Sequence, residues 1–284
     1  FTADWPAMAA VALLRLLIPL LLLAGLLALA ARAFEWWNLY RPRRRLEHEP
    51  AEVGLAFEEV YFMTEDGVRL HGWWIPHPAA RGTVLYCHGN AGNIGTRLSV
   101  ATGLHALGVN VFLFDYRGYG ESRGFPTEAG TYRDARAAYE VVRARHGDAE
   151  EPPVVIVGAS LGGAIAADLA TRRPARGLVL EGAFPNATDV GEHLYPALPV
   201  RWFNFFRYDT AARVARLALP KLLVHSRDDE MIPYPLGERL FQAAAHPKLF
   251  VPLHGPHGEA GWGANPAYAA ALRAFVHQAL PDFP

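Results

Sequence analysis

The pentapeptide Gly158-Ala159-Ser160-Leu161-Gly162 lies between an apolar run, Val154-Val155-Ile156-Val157, and a helix-forming stretch over residues 164–170. Strand, serine turn and helix in that order predict a sharp bend that holds the hydroxyl above the carboxyl end of a sheet strand. Glycines two residues either side of Ser160 let the backbone take a strained turn and remove the Cβ atoms that would keep strand and helix apart. Leu161 then opens the helix, so its N–H has no partner inside that helix and points where an oxyanion would form. This segment predicts a serine nucleophile on a strand–turn–helix frame.

The flanking pattern extends the frame. Strand-type runs occur at 57–62, 69–75, 83–87, 109–115, 154–157, 178–180, 221–225 and 248–251, and helical patterns at 95–107, 127–145, 161–172, 235–245 and 266–279. Such alternation predicts an α/β fold with a mostly parallel sheet covered by helices on both faces. Asp66-Gly67 between the first two runs is a hairpin signal, so the sheet opens with an antiparallel pair. Ligands of these sheets bind beyond the carboxyl ends of the strands. Residues 185–219 interrupt the alternation with an aromatic-rich stretch that reads as a lid over the site. Within it Tyr195, Leu198, Trp202, Phe203 and Phe206 are candidate substrate-binding residues, and the competing reading is that they pack the insertion onto the core.

Ahead of this domain, Arg15 is the only charge between Ala7 and Ala31, and residues 16–31 are apolar or small throughout. Twenty-five helical residues reach about 37 Å, enough to cross a hydrocarbon core of about 30 Å with some tilt, and Pro19 bends such a helix without breaking it. Phe34, Trp36, Trp37 and Tyr40 follow, then Arg41, Arg43, Arg44 and Arg45. Aromatics suit the headgroup zone and a basic cluster beside a span favours the cytoplasmic side. The expected organisation is a transmembrane anchor over 1–34, a basic and aromatic linker over 35–50 and a catalytic domain over 51–284, with the last in the cytoplasm. A cleaved signal peptide is the alternative, with Ala28-Leu29-Ala30 as its cleavage site and an exported domain. The net charge of −1 argues against general nucleic-acid affinity. The single cysteine, Cys87, falls in a strand and reads as a small core residue. No HExxH or CxxC metal-ligand spacing occurs.

A serine hydroxyl needs a base within hydrogen-bond reach and an acid to orient that base. After the run at 221–225 comes Ser226-Arg227-Asp228-Asp229-Glu230-Met231-Ile232-Pro233, and after that at 248–251 comes Pro252-Leu253-His254-Gly255-Pro256-His257-Gly258. By chemistry alone Asp228, Asp229 and Glu230 are all possible acids, and His254 and His257 both possible bases. The turn His88-Gly89-Asn90-Ala91-Gly92-Asn93 offers a backbone N–H, that of Asn90, to pair with that of Leu161 in an oxyanion hole. It lacks the GxxxxGK[ST] pattern of a phosphate loop. His88 and His225, each at a strand end, read as structural, as do Asp115 and Arg117 in Asp115-Tyr116-Arg117-Gly118-Tyr119-Gly120-Glu121-Ser122.

These blocks, in this order over most of the soluble part, resemble the α/β-hydrolase superfamily. The HGNAGN turn, the DYRGYGES block and the GASLGG elbow are similar to those of membrane-anchored α/β-hydrolase-domain serine hydrolases, whose relatives include protein depalmitoylases and monoacylglycerol or lysophospholipid lipases. In that family Asp-x-x-Ile/Val-Pro supplies the acid, which selects Asp229 with Ile232 and Pro233. The family histidine follows a short glycine turn after the last strand, which selects His257. Where the family often has Gly-x-His-Asn-Asp, this chain has His257-Gly258-Glu259. The resemblance implies a cofactor-independent hydrolase of esters or thioesters in acyl lipids or acylated proteins, acting at a membrane. A serine peptidase of the same fold and a non-catalytic membrane-tethered binding module are the alternatives.

Overall fold

The structure, a computed structural model, describes residues 5–147, 151–258 and 265–281. Eight strands build one sheet: β1 (Glu58–Met63), β2 (Arg69–Ile75), β3 (Thr83–Cys87), β4 (Asn110–Asp115), β5 (Val154–Ala159), β6 (Gly177–Glu181), β7 (Lys221–Ser226) and β8 (Lys248–Leu253). Their spatial order is β8-β7-β6-β5-β3-β4-β2-β1. Pairing is antiparallel between β1 and β2 and between β2 and β4, and parallel elsewhere. The Asp66-Gly67 turn joins β1 to β2 as expected, closed by the Gly67 N–H on the Thr64 carbonyl at 3.0 Å.

The parallel strands are apolar on both sides because both faces are covered. Leu85, Ile156, Leu180 and Leu223 join one core, while Val84, Val155, Val179 and Leu222 join the other. The first is packed by α3 (Glu128–Ala144), α4 (Leu161–Ala170) and α8 (Tyr234–Ala243), the second by α2 (Leu98–His105) and α9 (Pro266–Ala279). The period-two alternation of faces along each strand sets this division. The expected helix over 95–107 begins instead as a 3₁₀ turn, Ile94–Arg97, whose Asn93 side chain accepts the Gly95 N–H at 3.0 Å.

The insertion between β6 and β7 carries α5 (Ala187–Leu194), α6 (Val200–Phe203) and α7 (Thr210–Val214). At the front, α1 (Trp5–Leu39) runs unbroken through Pro19. Within Met8–Leu39 an 18-residue window reaches a mean hydropathy of 2.5 and none of that window is buried, so the helix is long and apolar enough to cross a bilayer, a description a signal sequence also meets. The helix does not stop near residue 34, since neither proline nor glycine occurs between there and Pro42. Nor is 35–50 a free linker. Tyr40 is buried with its hydroxyl 2.6 Å from that of Tyr208, and residues 41–42 pair with 91–92 as a short parallel bridge.

Candidate active site

Ser160 follows β5 directly with φ 52° and ψ −119°, a region in which a residue with a side chain is strained by roughly 1–3 kcal/mol. Its N–H donates to the Glu181 carbonyl on β6 at 2.8 Å, and its own carbonyl accepts the Gly163 N–H at 2.9 Å, so neighbours on both sides fix the turn. A Cβ on Gly158 would lie 2.3 Å from the Gly162 carbonyl oxygen, and one on Gly162 would lie 2.0 Å from that of Cys87. Both glycines are therefore required by close approach. Together they bring the start of α4 against the end of β3.

The candidate acid and base lie on the turns after β7 and β8. Asp229 Oδ1 accepts the N–H groups of Met231 at 3.0 Å and Ile232 at 2.7 Å, while the Ile232 side chain is buried in the core. The Asp-x-x-Ile-Pro spacing is thus a local device: the isoleucine plugs the turn into the protein and the aspartate caps it. His225 Nε2 donates to the Ile232 carbonyl at 2.7 Å and pins the same turn from below. Burial would raise the pKa of Asp229, but the His257 hydrogen bond and charge, the Ile232 N–H and His225 outweigh it and hold the carboxyl below its ordinary value. Burial lowers the pKa of His225 and favours its neutral form.

His257 Nδ1 lies 2.7 Å from Asp229 Oδ2, and its Nε2 lies 3.1 Å from Ser160 Oγ. A carboxylate can only accept, so Nδ1 carries the proton and Nε2 is free to accept from the serine hydroxyl. Glu230, one of the possible acids, takes the His257 backbone N–H at 3.0 Å. Asp228 and His254 pair with each other at 3.2 Å, with side chains 57% and 72% exposed.

On the other side of the serine, a Cβ on Gly89 would come 3.5 Å from Ser160 Cβ, so the turn after β3 lies beside Ser160. The N–H groups of Asn90 and Leu161 have no acceptor among the described residues. The turn is held from behind. Tyr119 Oη donates to the Asn90 carbonyl at 2.7 Å, Tyr116 Oη to the His88 carbonyl at 3.0 Å, and Asp115 Oδ1 accepts the Ile94 N–H at 3.0 Å. The Arg41 N–H also donates to the Asn90 carbonyl at 3.1 Å, and Asn93 Nδ2 donates to the Arg45 carbonyl at 2.7 Å. The sequence reading of the DYRGYGES block took only Asp115 and Arg117 as structural, and the tyrosine hydroxyls were missed. Two tyrosines immediately after a strand that neighbours β3 are the signal available for them.

A cavity of about 40 Å³ opens at the serine, lined by Ser160, Glu181, Gly182, Asp229, Pro256 and His257 among others. Glu181 is held by the Tyr268 hydroxyl at 3.1 Å, and burial raises its pKa. Tyr195, Leu198, Trp202 and Phe206 do not line this cavity, and the Phe203 side chain lies outside the described residues. Phe206 is buried edge-on against Tyr40, and Trp202 is 83% exposed. A larger cleft of about 820 Å³ lies at the far end of α4, bordered by Asp168, Arg172, Arg173 and Arg213. It is remote from Ser160, and four of its arginines are already paired, Arg172 and Arg213 with Asp168, Arg173 with Glu140 and Arg176 with Glu151. Cys87 is buried in the core, and burial pushes its thiol pKa up to about 12.

Comparison with known proteins places this geometry. Over 216 residues the chain is 36% identical to the alpha/beta hydrolase domain-containing protein WAV2 of Arabidopsis thaliana, covering 69% of each. The chain belongs to the α/β-hydrolase superfamily. An uncharacterized protein of Mycobacterium tuberculosis is 37% identical over 244 residues, covering 84% of this chain and 86% of the relative. Residues 78–208 match the family described as serine aminopeptidase, S33. Among solved structures, an esterase of Pyrococcus furiosus superposes with a TM-score of 0.71 at 19% identity, covering 85% of this chain and 98% of that one. The eight-stranded, mostly parallel sheet with helices on both faces is this hydrolase fold as the chain realises it.

Proposed function

We propose that the chain is a membrane-anchored serine hydrolase of carboxylic esters or thioesters carried by acyl lipids or acylated proteins. The observation that carries this reading is the continuous line from Asp229 Oδ2 through His257 to Ser160 Oγ, at 2.7 and 3.1 Å. Ser160 Oγ attacks the carbonyl carbon as His257 Nε2 takes its proton, and Asp229 stabilises the imidazolium so formed. Negative charge gathers on the carbonyl oxygen, where the N–H groups of Asn90 and Leu161 receive it. His257 returns the proton to the leaving alcohol or thiol, and water then releases the acyl group by the same steps in reverse. The apolar run of α1 supports anchoring, and exposed Arg41, Arg43, Arg44 and Arg45 favour a cytoplasmic catalytic domain.

The match to the serine aminopeptidase family and Glu181 at the cavity favour a second reading, in which a carboxylate grips a substrate ammonium group. The raised pKa of Glu181 weakens such a grip. A chain-length series of p-nitrophenyl esters and acyl-thioesters, run beside aminoacyl p-nitroanilides with Ser160→Ala as control, separates the two. The ester reading expects Ser160-dependent turnover of esters or thioesters that improves with acyl length. Turnover confined to the anilides contradicts it.

A further inference from the structure

Of the residues expected at the substrate in the 185–219 insertion, here called the cap, the structure turns Leu198 and Trp202 outward, with Phe205, beside the end of α1. Trp202 is 83% exposed, Phe205 44% and Leu198 44%; on a separate loop Phe125 is 60% exposed, and on α1 itself Trp37 is 74% and Phe34 47%. None of these six borders the cavity at Ser160. We propose that they form a bilayer-docking surface, which rests in the headgroup–acyl boundary of the leaflet from which α1 emerges. The inference rests on the reading of α1 as a membrane span.

Three observations commit this surface to lipid. The first is the seat of the span. Arg15 and Arg32 bracket 16 uncharged residues, 16–31, about 24 Å of helix, and their long side chains can reach the two interfaces. One hydrocarbon edge therefore falls near Arg32, which puts Glu35 about 4.5 Å and Asn38 about 9 Å beyond it.

The second is how the cap is joined to that stretch. The Glu35 carboxylate accepts the N–H of Phe205 at 3.0 Å and that of Phe206 at 3.1 Å. Tyr195 Oη donates to Asn38 Oδ1 at 2.8 Å, and its ring meets Phe34 edge-on at 5.3 Å. Trp36 donates to the Pro126 carbonyl at 2.9 Å and stacks on Phe125 at 4.3 Å. Cap and Phe125 loop are thus fastened to α1 inside the zone where the headgroups lie, and cannot stand away from the bilayer without breaking these bonds.

The third is chemical character. Tryptophan and phenylalanine with arginines at their margin suit the headgroup zone, where an apolar ring and a cation each find a partner. Arg32 sits 5.1 Å from the Phe205 ring centroid, and Arg201 and Arg207 are exposed in the same insertion. The cap springs from the end of β6, the sheet end that also carries the Ser160 cavity. Docking it would bring the catalytic end of the sheet toward acyl groups in that leaflet.

The test uses the full chain in phosphatidylcholine–phosphatidylglycerol vesicles whose acyl chains are brominated close to the headgroup. Bromine quenches tryptophan at that depth, while Trp73 and Trp74, buried in the catalytic domain, report the unquenched background. Docking predicts that Trp202→Phe removes a quenched emitter, so the quenched share of tryptophan emission falls relative to wild type. An unchanged or larger quenched share overturns the docking surface. Carbonate extraction of the same vesicles separates the two ideas: release of the protein overturns the span and the docking surface with it, whereas retention with Trp202 unquenched overturns the docking surface alone.

Discussion

The turns after β7 and β8 carry two aspartate–histidine pairs that differ in almost nothing chemical and in everything positional. Asp229 and His257 approach to 2.7 Å, with side chains 2% and 15% exposed. Asp228 and His254 approach to 3.2 Å with both side chains largely in water. One aspartate is fixed by two backbone N–H groups and a neighbouring histidine; the other caps the Gly255 N–H on the outside of the turn. Water competes for every bond of the exposed pair, and such pairs contribute only about 0–1 kcal/mol. In the inner pair the carboxylate fixes one tautomer and aims Nε2 at the serine. Residue type supplies two candidate relays, and burial with direction favours the inner one.

Removing His257 separates the pairs most strongly. His257→Ala is expected to lower kcat for a soluble ester by about 10³-fold or more, since the serine then has no base. Asp229→Asn keeps the shape but offers Nδ1 a different partner, and a loss of about 10³–10⁴-fold in kcat follows. Tyr119→Phe frees the Asn90 carbonyl from one support; steady-state kinetics should show a fall of about 2–10-fold, in kcat more than in KM, because the loop it steadies is read as acting on the oxyanion. His254→Ala and Asp228→Asn should each stay within about twofold of wild type. A large loss in either would merge the two pairs into one functional unit.

Acid offers a further contrast. The native pKa of Asp229 lies below its ordinary value, so its ionised form stabilises the fold above pH about 4, and this contribution is lost as pH falls through the depressed native value. Urea denaturation should show the stability gap between wild type and Asp229→Asn narrowing as pH drops below about 4. The exposed Asp228 should give a smaller gap at every pH.

What the sequence made legible was local. The elbow, the 66–67 hairpin turn and the parallel strands follow from patterns a few residues long, and the structure places them where those patterns imply. The choice between the two aspartate–histidine pairs was different, because it depends on which side of a turn faces the serine about 70 to 100 residues away in sequence. Family resemblance, rather than spacing, pointed to Asp229 and His257. The 35–50 segment looked like a linker because its partners, Asn90, Asn93 and Tyr208, are remote in sequence. The cap aromatics looked like pocket lining because composition reveals apolar content but not the direction in which a short helix turns it.

Fluorophosphonate labelling followed by peptide mass spectrometry tests the central claim most directly, since the probe reports the activated serine itself. The expected result is one adduct, on Ser160, formed rapidly in wild type and in His254→Ala and slowed by orders of magnitude in His257→Ala. An adduct on another residue, or equal labelling of Ser160 in wild type and His257→Ala, would contradict the account.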